Sequence, residues 1–146
     1  MTTTTPLVNG QVIGLAHYAS RAVLETVLAR TGSDFSQSVA LRVVSDNGGT
    51  VDRDRLVSRL VGALKIDESA ARETVDELTA LKQLDAPTPE RVSLTESGRE
   101  LFETIRAGGS EIAARLYAGI PAEDLAIAGR VLTLVTERAN AELAKA

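Results

Sequence analysis

The stretch Arg91-Val92-Ser93-Leu94-Thr95-Glu96-Ser97-Gly98-Arg99-Glu100-Leu101-Phe102 changes character in its middle. Its first four residues alternate polar and apolar, the period-two pattern of a short strand. Thr95 then offers a hydroxyl that can accept from the first free amides of a helix, and a helix is expected from there through Arg106. Just upstream, Asp85-Ala86-Pro87-Thr88-Pro89-Glu90 carries two prolines, which break any helical ladder. A small β-hairpin is therefore expected between Leu84 and Leu94.

Working back from the hairpin, the pattern turns helical. Asp67 predicts the cap of a helix whose inner face is Ala71, Val75, Leu78 and Leu81. Before it, Asp52 predicts the cap of a helix with Leu56, Val57, Leu60, Val61 and Leu64 at helical spacing. Thr50-Val51 reads as one short strand. Phe35 to about Asp46 reads as another helix, with Ser36 as its N-cap and Asn47-Gly48-Gly49 as its exit, where glycine suits a left-handed backbone. Residues 36–94 thus follow the order of a winged helix-turn-helix, in which the third helix enters the major groove and the hairpin reaches for the backbone or minor groove.

The flanks are helical too. Residues 1–6 read as a disordered tail, a threonine run ending in proline. From Leu7 to about Arg30, Val8, Val12, Leu15, Ala19 and Val23 form one apolar stripe, and Ile13, Ala16, Leu24, Val27 and Leu28 a second. Past Arg106, Gly108-Gly109 is expected to interrupt the chain before a further helix from Ser110 to about Tyr117. The last helix is expected to start with Pro121 in its first position and to run to about Leu143, again apolar over a wide arc. Terminal helices with so little polar surface need cover on more than one side, which a second copy of the chain would supply.

Composition removes other classes. The chain has 146 residues, 44% hydrophobic and 25% charged, with no cysteine and one histidine, His17. Disulfides, thiol nucleophiles and multi-histidine metal sites fall away. No serine sits in a Gly-x-Ser-x-Gly context, and neither glycine pair has the spacing or lysine of a phosphate loop. The expectation is therefore a protein that is not an enzyme and needs no cofactor. No run approaches the length of a membrane span, and the start lacks a basic, apolar leader, so a cytoplasmic location is expected.

The junction quoted first resembles the run V-x-L-T-x-x-G-R-x-L that follows the wing in MarR-family regulators. Leu116-Tyr-Ala-Gly-Ile-Pro-Ala-Glu-Asp-Leu125 similarly resembles that family's entry into its last helix, and the order of helices matches from Leu7 to Leu143. The resemblance implies a mainly α fold: a winged helix-turn-helix with a small β-hairpin wing, flanked by N- and C-terminal dimerisation helices. Residues 7–34 and 106–146 would form the dimerisation region and residues 35–105 the DNA-binding lobe. It further implies a homodimeric transcriptional regulator on a pseudo-palindromic, double-stranded DNA operator. Ser69 and Arg72 would approach base edges, and Arg53, Arg55, Arg59, Lys65 and Arg91 would contact phosphate. Members of this family often bind small aromatic acids, and His17, Tyr18 and Arg21, within about one helical turn, would line such a pocket. The plainer reading of that trio is a polar stripe with an Arg21–Glu25 pair.

The groove-reading segment departs from the family pattern. From Asp67 to Leu84 five acids (Asp67, Glu68, Glu73, Asp76, Glu77) face two bases (Arg72, Lys82), a net of −3. Glu73 and Glu77 stand where basic residues are common, Lys82 stands in place of the usual glycine, and Asp85–Glu90 holds no base. The preceding helix is more favourable, with Arg53, Arg55, Arg59 and Lys65 against Asp52 and Asp54, although an ordinary solvated face would look the same. The alternative function is thus a dimeric winged-helix interaction module that has lost useful DNA affinity and binds a protein or small-molecule partner.

Overall fold

A computed structural model describes residues 5–146, so most of the expected 1–6 tail lies outside the described residues. The element order is α1 (Gly10–Thr31), α2 (Phe35–Asp46), β1 (Thr50–Asp52), α3 (Arg53–Leu64), α4 (Glu68–Ala80), β2 (Leu84–Thr88), β3 (Arg91–Leu94), α5 (Glu96–Leu116) and α6 (Ala122–Lys145). The fold is mainly helical with a small antiparallel sheet. The chain divides into two units, one ending at Ile112 and the other spanning Ala113–Ala146.

In the first unit the core joins α2, α3, α4 and the sheet. Leu41, Val44, Leu56, Leu60, Val75, Leu78, Leu84 and Val92 are fully buried, each leucine worth about 1.5–3 kcal/mol of transfer free energy. Alternation in Arg91–Leu94 does what the sequence suggests, since Val92 and Leu94 face the core. The expected hairpin is one part of a larger sheet. β3 pairs with β2 on one side and β1 on the other, with Val51 opposite Val92. Pro87 falls where the β2–β3 register slips between Asp85 and Thr88, at a sheet edge where a missing N–H costs no ladder bond.

The strand-to-helix junction is held from both sides. Thr95 Oγ1 accepts from the Gly98 amide at 3.0 Å and donates to the Lys82 carbonyl at 2.7 Å. Gly98 has no room for a side chain, because a Cβ there would sit 2.1 Å from the Gln83 carbonyl oxygen. Opposite it, Lys82 takes a left-handed backbone with φ 62°, a conformation costing a non-glycine residue about 1 kcal/mol.

Several local expectations are corrected. α1 begins at Gly10, not Leu7, because Asn9 accepts from the Val12 amide at 2.9 Å and leaves Leu7 and Val8 outside. α2 is capped by Asp34 and not Ser36. Asp34 accepts from the Gln37 amide at 2.8 Å while the Gln37 side chain reaches back to the Asp34 amide, a reciprocal box that puts Ser36 inside the helix. Asp52 holds the N-cap position of α3 without a capping bond; it is paired in β1 with Arg91, and the Arg53 amide donates to the Glu90 carbonyl at 2.7 Å. Leu81 is not on the inner face of α4 but 53% exposed, since the helix stops at Ala80 and the chain turns away.

The largest correction is at Gly108-Gly109. α5 runs through both glycines without a break. A Cβ on Gly108 would meet Val27 Cγ1 at 2.7 Å, so the bare position lets α1 and α5 approach closely. That packing offsets the roughly 1 kcal/mol that Gly108 costs a helix interior.

The second unit contains the end of α5, a turn with Gly119 at φ 76°, and α6. Pro121 is the N-cap with an extended ψ of 138°, so the first helical residue is Ala122. No residue of α6 is buried. Leu125, Ile127, Leu132, Leu134, Val135 and Leu143 are all exposed.

Candidate nucleic-acid interface

α3 and α4 form the helix-turn-helix, joined through Lys65, itself left-handed at φ 56°, and capped at α4 by Asp67, which accepts from the Ala70 amide at 2.7 Å. With Ala71, Val75 and Leu78 buried against the core, helical geometry turns the opposite side outward. Glu68, Ser69, Arg72, Glu73, Asp76, Glu77 and Ala80 line this open face.

Its charges are largely tied down within the chain. Arg72 donates to Glu68 Oε1 from Nε at 3.0 Å and from Nη2 at 2.6 Å, and Nη2 also reaches Asp54 on α3 at 3.5 Å. The Glu68 bond, followed by the charges of Glu68 and Asp54, holds the Arg72 guanidinium above its ordinary pKa despite some desolvation. Arg53 at the start of α3 pairs with Asp76. Gln37 Nε2 on α2 donates to Glu77 at 2.9 Å. Of the four carboxylates on this face, Glu73 alone makes no hydrogen bond or ion pair among the described residues.

The residues expected to touch DNA thus fall into three groups. Ser69 is exposed on the outer face of α4, its hydroxyl unbonded. Arg72 and Arg53 face the same helix pair but are engaged with acids. Arg55, Arg59 and Arg91 are exposed and carry no ion pair among the described residues, with Arg91 at the start of the wing strand. Lys65 Nζ donates to the Gly62 carbonyl at 2.6 Å. The long-range partners Asp54 and Gln37 were not singled out from sequence, since they lie 18 and 40 residues from the groups they bind.

A separate hollow of about 390 Å³ lies where α1 meets the start of α2, with Arg21, Glu25, Ser33 and Phe35 in its lining. Arg21 Nε donates to Glu25 at 2.9 Å and the guanidinium lies 4.3 Å from the centre of the Phe35 ring. His17 meets Phe35 edge-on at 6.3 Å and Tyr18 at 5.4 Å. Of the expected trio only Arg21 lines the hollow; Tyr18 is 69% exposed. Ser33 Oγ is buried there with no bonding partner among the described residues. Phe35 and Ser33 were missed in the sequence because they flank a turn, where no periodicity marks a shared wall. The described residues contain no group of three potential metal ligands. Among the described residues no helix is long and apolar enough to cross a membrane.

No sequence-family model matches the chain, and no curated protein matches it in sequence. Solved structures do. CouR of Rhodococcus jostii, crystallised with p-coumaroyl-CoA, is 18% identical with a TM-score of 0.74, covering 87% of this chain and 90% of its own. BpsR of Bordetella bronchiseptica, studied for control of its DNA binding by 6-hydroxynicotinic acid, is 19% identical with a TM-score of 0.72, covering 94% and 99%. A mutant MarR of E. coli in complex with operator DNA is 19% identical with a TM-score of 0.71, covering 86% and 91%. The chain therefore has the winged-helix fold of the MarR-family transcriptional regulators.

Proposed function

We propose that the chain is a cytoplasmic, MarR-like transcriptional regulator, without catalytic activity, that binds a pseudo-palindromic operator as a homodimer. The observation that carries this reading is the helix-turn-helix itself: α4 turns an open face outward, and the unpaired cations Arg55, Arg59 and Arg91 stand on α3 and the wing beside it. In this reading residues 35–105 are the DNA-binding lobe, and residues 7–34 and 106–146 form the dimer. The exposed apolar residues of α1 and α6 call for a covering partner, and a second copy supplies one. Ser69 reaches base edges directly. Arg72 does so after exchanging Glu68 for a base, and Arg53 reaches phosphate after giving up Asp76. Lys65 adds a further phosphate contact. A small aromatic acid would bind at the α1–α2 hollow, its carboxylate on Arg21 and its ring near Phe35 and His17, with Tyr18 at the rim. 6-Hydroxynicotinic acid, the aromatic acid named in the regulation of DNA binding by BpsR, supports that class of ligand.

The test is binding to duplex DNA from upstream of the protein's own gene at two salt concentrations. Arg55, Arg59 and Arg91 alone make six phosphate contacts in a dimer and, with Arg53 and Lys65, ten, for a slope of log K against log salt of about −5 to −9. Between ~50 and ~200 mM salt the affinity should fall by about 10³- to 10⁵-fold. Absence of saturable binding at low salt overturns the reading. It would favour the second one, an interaction module with a protein or small-molecule partner, for which the net negative face of α4 is the supporting observation.

A further inference from the structure

The four carboxylates on the outer face of α4 are not equivalent. Glu68 is spent on Arg72, Asp76 on Arg53 and Glu77 on Gln37, so these three serve the lobe's own structure. Glu73 lies between them, exposed, with both oxygens free to accept. Ser69, four residues earlier and so on the same row of the helix, is also unbonded.

A free carboxylate brought into a DNA groove is repelled by phosphate whatever the sequence. Its favourable contact there is an amino group on a base edge, and the major groove offers two, cytosine N4 and adenine N6. The adenine amino group sits beside N7, an acceptor whose lone pair opposes the carboxylate; cytosine presents no acceptor beside its amino group. We infer that Glu73 is a specificity-determining residue that accepts a hydrogen bond from the N4 amino group of a cytosine in each half-site, an inference that rests on the DNA-binding reading above.

The experiment selects duplexes from a random library with the full chain at low salt. It then measures the affinity of wild type, Glu73→Gln and Glu73→Ala for the selected duplex and for each single base-pair substitution of it. Replacing one C·G pair per half-site should weaken wild-type binding by ~5- to 150-fold. Glu73→Gln keeps the length of the side chain but adds a donor, so its preference at that pair should move to adenine, whose N6 and N7 an amide matches. Glu73→Ala should lose the preference there, binding the substituted duplexes more tightly than wild type at low salt but the selected duplex no more tightly. Both variants should melt with the wild type, since the replaced side chain is exposed and unbonded. Sequence-specific binding whose preferences are the same in all three proteins overturns the role of Glu73 and leaves the DNA reading standing. No saturable binding to any duplex overturns both.

Discussion

The helix-turn-helix lobe and the last helix use similar proportions of leucine and valine to opposite ends. In the lobe, Leu41, Leu56, Leu60 and Leu78 meet one another across α2, α3 and α4 and are sealed from water by their own chain. Along α6, Leu125, Leu132, Leu134 and Val135 have no such cover. The lobe alternates an apolar stripe with a charged face, so one set of neighbours is enough. α6 is apolar over too wide an arc for that, and the remaining surface is a demand for a partner.

The contrast can be broken most directly by the same truncation in both regions. Leu60→Ala, at a fully buried site, should lose about 2–5 kcal/mol in urea unfolding, by the same amount at every protein concentration. Leu132→Ala, at a site 40% exposed within one chain, should have little effect on an isolated chain. In a homodimer it should weaken association, so that dilution dissociates the variant before the wild type in sedimentation. Equal behaviour on dilution would remove the second copy from α6.

A smaller contrast lies within α5. Gly108→Ala should destabilise by about 1–3 kcal/mol, because the new methyl strikes the stiff Val27 side chain. Gly109→Ala, with nothing within 4 Å of its Cβ position, should instead stabilise by about 0.5–1 kcal/mol. Thermal melts with the same sign for both would mean that the close approach of α1 to α5 is not what Gly108 provides. The smallest effect is expected at the wing hinge, where Lys82→Gly relieves a left-handed backbone and should raise stability by up to about 1 kcal/mol. A loss of stability there would point to a packing role for the Lys82 side chain.

The interface was only half legible beforehand. Which α4 residues face outward follows from the spacing of Val75 and Leu78, and Ser69, Glu73 and Asp76 are exposed as that spacing implies. What those residues are doing does not follow from spacing. Arg53 with Asp76, Arg72 with Asp54 and Gln37 with Glu77 all join different helices across long stretches of chain. Counting charges along α4 yields a net of −3 and hides the fact that, among the described residues, Glu73 alone of its outward carboxylates is unoccupied.

By itself the sequence determined the order of elements up to α5 and the chemistry of some of their ends, although the caps of α2 and α3 and the start of α6 differ from what it implied. Alternation in Arg91–Leu94, the cap at Thr95, the cap at Asp67 and the prolines of the wing act over a few residues, where backbone geometry leaves few choices. Tertiary structure decided the rest. α5 passed through Gly108 because Val27 packs into the space a side chain would fill, and Gly98 in the opening stretch proved to be a point of contact with Gln83. Each of these depends on a neighbour brought close by packing, and local sequence carries no trace of a neighbour until the core has formed.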